Sequence, residues 1–378
     1  MDESRRTVKS FYIASFLNDL GSDMIYPVWP LFVTMVLGAN MAFLGLLDGM
    51  GEALVSFSQA ASGVLSDRMQ KRKIFIWTGY VCASISRIGY GIAAAPSHLL
   101  PFRVLDRLGK IREAPRDAMV ADLAPEKRRG SSFGMLRALD NLGAVCGILV
   151  CIALFPRLGY RQLFYLAAIP SAMGALVILF TVRDMKKGNI FVNLSIKNLS
   201  PQLKLYFMAS AIFGLGSFSY SFLLLFATAS GFSQGFVPVL YLLFTATASV
   251  TSYPFGKLAD RMKNRFLLMG AFLLFGIMCG GFMVFRNGLI FLFILYGLHR
   301  GAFEPVKKTI ISSLAPPSRK ASILGGYQMM LGFCSLFSSV LAGILWEAYS
   351  MVAPFAFSFC TSFIAAGILL YVRDTDTG

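Results

Sequence analysis

Apolar runs of membrane-spanning length recur from residue 10 almost to the end of the chain, separated by short polar and mostly basic segments. Their spacing predicts helices over about 10–36, 42–66, 74–95, 98–122, 131–155, 160–182, 203–228, 235–259, 266–286, 289–313, 321–345 and 351–372. Each run holds roughly the 20 residues that carry a helix across a bilayer core. Helix is the expected state, because the runs are too long for barrel strands and backbone groups in lipid must bond internally. The fourth and tenth carry several charges and are the weakest by hydropathy. The first run contains Asp19 and Asp23 and lacks a small-residue cleavage pattern, so it reads as a retained membrane helix and not as a signal peptide.

The chain repeats itself. Gly63-Val-Leu-Ser-Asp-Arg-Met-Gln-Lys-Arg-Lys73 returns as Gly256-Lys-Leu-Ala-Asp-Arg-Met-Lys-Asn-Arg-Phe266, an offset of 193 residues. Leu123-Ala-Pro125 with Leu314-Ala-Pro316, and Val182-Arg-Asp184 with Val372-Arg-Asp374, keep offsets of 191 and 190. Two halves on one plan also account for the weak fourth and tenth runs, since without them the halves no longer match. An even number of spans per half makes the repeats parallel, as in carriers whose halves move against each other. The expected organisation is an all-α membrane protein: a six-helix bundle over 1–182, a cytoplasmic linker over 183–202 and a second six-helix bundle over 203–378.

Composition narrows the class. Hydrophobic residues make up 56% of the chain and charged residues 14%, against roughly 25% charged in soluble domains. The net charge of +16 comes from Lys and Arg clustered at alternate helix ends, where they set orientation. Arg5, Arg6 and Lys9, then Arg68 to Lys73, Lys127 to Arg129, Arg183 to Lys187, Arg261 to Arg265, and Arg319 with Lys320 fall on one side. Both termini are therefore expected in the cytoplasm of a prokaryote, with the chain in its inner membrane. No basic soluble domain is available for nucleic acid, and no phosphate-binding loop appears. The six cysteines fall in apolar runs without metal-ligand spacing and read as packing residues.

Twelve helices in two parallel halves, with the repeated Gly-x-Leu-Ser/Ala-Asp-Arg-Met phrase, resemble the major facilitator superfamily over essentially the whole chain. That family carries Gly-x-x-x-Asp-Arg-x-Gly-Arg/Lys-Arg/Lys after its second helix. Gly63, Asp67, Arg68, Lys71 and Arg72 match, with Gln70 at the second glycine. The second copy keeps Gly256, Asp260, Arg261 and Arg265, with Lys263 at that glycine. The resemblance implies a cytoplasmic latch involving Asp67, Arg68, Arg72, Asp260 and Arg261; the alternative is that the basic residues only fix topology. In the fourth helix, Leu105-Asp-Arg-Leu-Gly-Lys-Ile-Arg-Glu-Ala-Pro-Arg-Asp-Ala118 resembles the family's arginine-bearing motif, with Arg107 at the arginine, in a form similar to a little-characterised prokaryotic branch. Gly143 and Gly147 stand where an exporter-associated glycine–proline motif lies, but Ile148 replaces the proline.

Ionisable groups within a bilayer cost about 2.5–3.5 kcal/mol each on insertion, so they face cavities or one another. They concentrate in the first half. Asp19 and Asp23 lie four apart on one helical face, as do Asp48 and Glu52, and Arg103 and Arg107. Asp106 with Lys110, Glu113 with Arg116, and Arg137 with Asp140 have spacings that permit pairing within a helix. Arg112, Glu113, Arg116, Arg137 and Asp140 are expected in a gating network joining the second, fourth and fifth helices. The resembled fold places the first, fourth, seventh and tenth helices around a central cavity, near which Asp19, Asp23, Arg103, Arg107, Tyr220 and His299 would stand. Asp19 or Asp23 then takes the coupling proton, or pairs permanently with Arg87, Arg103 or Arg107, or recognises a cationic substrate. Arg103 and Arg107 hold an anionic or polyoxygenated substrate, or compensate the acidic pairs. His299 titrates or binds substrate, or bonds to Arg300 and Glu304.

The sequence thus points to a secondary carrier, not an enzyme, with no cofactor and with protons as the expected coupling ion, sodium being the other possibility. Its expected partners are a small-molecule substrate and membrane lipid, and it is expected to function as a monomer. Short outer loops, a carboxylate pair and an aromatic-rich interior fit proton-driven export of small amphipathic molecules; the arginines fit uptake or exchange of a small organic anion.

Overall fold

The computed structural model describes residues 2–69, 71–123, 129–184, 199–259, 264–285, 288–314 and 320–372. Among them all regular structure is helical. The first span runs as Asp2–Ile25 and resumes at Trp29–Leu31 and a wide π turn, Phe32–Val36. The second and third are Met41–Met69 and Arg72–Ile92. The fourth is assembled from Leu99–Leu108, a 3-10 turn Gly109–Arg112 and Glu113–Leu123. Arg129–Thr181 holds the fifth and sixth spans, divided at Gly159, whose φ of 67° is left-handed and costs an ordinary residue about 1–2 kcal/mol. The seventh span is Pro201–Gly216 followed by Tyr220–Ala229. Val237–Ala259, Asn264–Val284, Leu289–Leu314, Lys320–Ala348 and Ala353–Leu370 complete the twelve.

The sequence repeat extends into backbone conformation. Gly38 and Gly231, with φ of 71° and 103°, close the first and seventh spans at positions 193 residues apart. Both of those spans also break at matching points, 26–28 in one and 217–219 in the other. The first break follows from Pro27 and Pro30, which lack the N–H that a continuous helix needs. The second falls at Ser217, Phe218 and Ser219, where Ser219 accepts a hydrogen bond from the Ser221 amide and restarts the helix.

Seven stretches of the described helices are long and apolar enough to cross a bilayer by length and composition alone, and one of them, Ser132–Thr181, spans 50 residues and so holds two spans. The first, third, fourth and eighth spans fall outside that group. Three of these four carry the buried polar residues Asn18, Asp23, Arg87, Arg103, Asp106 and Arg107.

The chain divides into two compact units: residues 1–39, 54–191 and 234–238 in one, and 40–53, 192–233 and 239–378 in the other. In the first, Phe11, Ile76, Tyr80, Met119, Leu136 and Ile178 form a buried core. Its first and fifth spans touch backbone to backbone: a Cβ on Gly143 would lie 2.4 Å from Phe16 O, and one on Gly147 2.2 Å from Leu20 O. Small residues allow this approach, through which helices in lipid gain van der Waals packing. In the second unit, rings fill the interior; Phe213 stacks on Phe272 at 4.2 Å and meets Phe275 edge-on at 5.4 Å. Tyr327 donates to Ser210 Oγ at 2.8 Å within the same unit.

Candidate coupling and substrate site in the first unit

The first, third, fourth and fifth spans of the first unit enclose a polar cavity of about 210 Å³. The first contributes Ser15, Asn18 and Asp19, the third Tyr80, and the fifth Arg137, Asp140 and Asn141. The fourth supplies Lys110, Arg112, Glu113 and Arg116 from either side of the 3-10 turn. That turn sets the local pairing. Side chains three apart eclipse in 3-10 geometry, so Lys110 Nζ donates to Glu113 Oε1 at 2.7 Å, while Asp106 meets Arg107 at 3.7 Å. The spacing-based partners Asp106–Lys110 and Glu113–Arg116 are thereby replaced. Gln59 of the second span holds the other Glu113 oxygen at 2.6 Å, a long-range contact with no marker in the sequence.

Arg116, 4% exposed, is the hub of the cavity. Its Nη1 donates to Ser15 Oγ at 2.6 Å, and its Nε donates to Asp117 Oδ1 at 3.0 Å. Asp140 Oδ1 lies 4.0 Å from that Nη1 and, among the described residues, is buried without a hydrogen-bond donor. Arg137, more than half exposed, reaches Asp140 Oδ2 at 3.4 Å. Asp19 accepts from Asn18 Nδ2 at 3.0 Å and, among the described residues, has no ion pair. The cavity therefore joins two carboxylates, Asp19 and Asp140, to a well-held arginine. Each carboxylate keeps acceptor capacity toward the cavity, which permits exchange of a proton or a cationic group there.

Arg87 is 2% exposed. Its Nη1 donates to Ala167 O at 2.9 Å and to Ser171 Oγ. Its Nη2 donates to Asn18 O at 3.0 Å and Ser22 Oγ at 2.7 Å. The guanidinium thus links the first, third and sixth spans through neutral oxygens, not through Asp19 or Asp23. Asp23 is itself buried. Arg103 lies over the Trp29 ring at 4.6 Å and Arg107 over Tyr26 at 5.4 Å, cation–π contacts with the residues around the first break.

Other expected site residues lie elsewhere. Tyr220, in the second unit, packs against Tyr241 and Phe244 at 5.3 and 6.1 Å. His299, 3% exposed, donates from Nδ1 to Ala271 O at 2.7 Å and is surrounded by Phe275, Phe213 and Phe303 at 4.9, 5.6 and 5.6 Å. This bond ties the imidazole to the ninth span's backbone, where the sequence suggested Arg300 or Glu304. Arg72 pairs with Asp122 at 2.7 Å, and Arg112 donates to Gly109 O at 2.8 Å and covers Tyr80. Arg68 is exposed. The Asp67 side chain, Asp260 and Arg261 lie outside the described residues. Among the described residues no group of three or more His, Cys, Asp or Glu could hold a metal.

The Major Facilitator Superfamily family model matches residues 11–233 and 205–378. The MFS-type transporter MJ1317 of Methanocaldococcus jannaschii is 32% identical over 98% of this chain and 96% of its own. The quinolone resistance protein NorA of Staphylococcus aureus is 25% identical over 51% of this chain and 48% of its own. The crystal structure of a bacterial homolog of the human lysosomal transporter Spinster, inward-facing and unoccupied, superposes with a TM-score of 0.77 at 16% identity, over 99% of both chains. The chain belongs to the Major Facilitator Superfamily and is a multi-pass prokaryotic membrane protein, a secondary transporter working by alternating access.

Proposed function

We propose that the chain exports small amphipathic molecules from the cytoplasm of a prokaryote in exchange for protons, from an inner membrane in which both termini are cytoplasmic. The observation that carries this reading is the Asp19–Arg116–Asp140 cavity, where Asp140 Oδ1 is buried short of a donor while Asp19 has no cation of its own among the described residues. A proton entering from one side occupies one of these carboxylates; a cationic or hydrogen-bonding substrate competes for the same acceptors. Mutual exclusion of this kind is what exchange requires. NorA, named for quinolone resistance, supports export of amphipathic compounds by its likeness over half the chain.

Uptake of an organic anion is the less favoured reading because Arg103 and Arg107 are already engaged by Trp29 and Tyr26, with Asp106 beside Arg107. These arginines compensate the acidic residues and brace the broken end of the first span. Asp23, buried in the same span, is the other candidate for the coupling proton. The latch residues Asp67, Arg68, Arg72, Asp260 and Arg261 belong to the gating half of the cycle, as do Arg112, Glu113 and Arg137.

The test is efflux from proteoliposomes under an imposed pH gradient, with ethidium as an amphipathic cation and benzoate as an organic anion. Gradient-driven ethidium export that Asp19→Asn abolishes supports the reading; benzoate accumulation without ethidium flux replaces it with the uptake alternative.

A further inference from the structure

We infer that Asp48 is a positioning residue of the transport cycle, clasping segment 40–53 of the second span onto the break in the seventh. Asp48 is 5% exposed, and its Oδ2 accepts from both Ser219 Oγ at 2.8 Å and Ser221 Oγ at 2.5 Å. These two hydroxyls flank the point where the seventh span resumes as a helix. Ser219 Oγ also accepts from the Ser221 amide at 3.2 Å, so one hydroxyl caps the helix and donates to the carboxylate at once. Hydrogen bonds to an ionised acceptor are shorter and roughly twice as strong as neutral ones.

The seating of the segment adds the second half of the inference. Cβ atoms built on Gly45 and Gly49 would fall 2.0 Å from Ser339 O and 2.6 Å from Leu336 Cα, and one on Gly343 2.3 Å from Met41 O. Segment 40–53 thus lies directly on the backbone of Lys320–Ala348. Such a glycine seam supplies close packing with no directional bond between side chains, and helices can part or slide along it. Asp48 supplies direction, and it binds the one segment of the seventh span whose backbone is not helical. When Asp48 leaves, both hydroxyls lose their acceptor, and a serine without one turns to a backbone carbonyl in its own chain. Departure of segment 40–53 and rearrangement of residues 217–219 are then one event. This holds whichever ion or substrate drives the cycle, so it stands apart from the proposed direction of transport.

Hydrogen exchange on the full chain in detergent, without substrate or gradient, tests it. The variants are Asp48→Ala, Ser219→Ala with Ser221→Ala, all three together, and Asp48→Asn, which keeps one carbonyl acceptor. Either the single or the double variant should raise exchange in both 40–53 and 214–222 by about threefold or more, the scale of a local opening. The triple variant should add nothing, Asp48→Asn should recover part of the protection, and Ser132–Thr181 should stay unchanged. Additive effects in the triple variant, or a rise confined to one of the two segments, would overturn the clasp. If Asp48→Ala loosens Ser132–Thr181 as well, Asp48→Asn and Ser221→Ala alone decide, by whether both segments rise together.

Discussion

Arg116 and Asp140 face each other at 4.0 Å across the cavity of the first unit, too far for a hydrogen bond, while Arg116 is tied to Ser15 at 2.6 Å. The arginine is thus fixed by Ser15 and Asp117, and the Asp140 carboxylate is left with an open oxygen. A pair held at this separation keeps the carboxylate in reach of a positive field without closing it off.

Asp140→Asn is expected to preserve folding, since among the described residues Arg137 and Arg116 are the cations that lean on the carboxylate, and to lower proton-coupled flux by about tenfold or more, equivalent to about 1.4 kcal/mol. Arg116→Lys should cost as much, because an ammonium cannot hold Ser15 and Asp117 together as the guanidinium does. Initial rates in proteoliposomes check both; unchanged rates in Asp140→Asn would remove it from the coupling site.

Arg87→Met should destabilise the first unit by about 1–3 kcal/mol for each buried neutral acceptor left without its donor. The loss is structural: Asn18, Ser22 and Ser171 would be left without their shared donor. Gly21→Ala should act in the same direction, because its Cβ would meet Arg87 Nη1 at 2.1 Å and Ala167 O at 2.4 Å. Thermal unfolding in detergent measures both, and near-wild-type melting for Arg87→Met would contradict the assignment.

His299→Phe should leave the pH profile of transport unaltered. The imidazole is enclosed by rings and spends Nδ1 on Ala271 O, so the expected cost is about 1 kcal/mol of stability for one hydrogen bond. A displaced pH profile would return His299 to the coupling groups.

Gly38→Ala and Gly231→Ala should each cost about 1–2 kcal/mol from backbone conformation alone, since nothing lies within 4 Å of a Cβ at either position. Equal losses in the two variants would show that the repeat is kept in energy as well as in geometry; a neutral outcome at either would contradict its left-handed backbone.

Much of the helical architecture is legible in the chain because lipid leaves few choices: apolar runs of about 20 residues become helices. The proline-bearing break at 26–28 is readable too, whereas its counterpart at 217–219 has no proline and depends on Ser219. Charge partners are the least legible. Helical spacing pairs Asp106 with Lys110, but the 3-10 turn at 109–112 rotates Lys110 toward Glu113. Arg87 appears from its charge to need a carboxylate and finds neutral oxygens on two other spans instead. Asp48 and Glu52 read as a like-charged pair, and only the fold shows that Ser219 and Ser221 meet Asp48. Such contacts join residues 65 to 173 positions apart, beyond any local pattern.

The most direct test is solute-induced proton flux in proteoliposomes under an imposed pH gradient, comparing the wild type with Asp19→Asn and Asp23→Asn. Proton entry coupled to ethidium export is expected in the wild type, with loss of coupling in Asp19→Asn. Proton-coupled export that persists with both aspartates neutralised would contradict it.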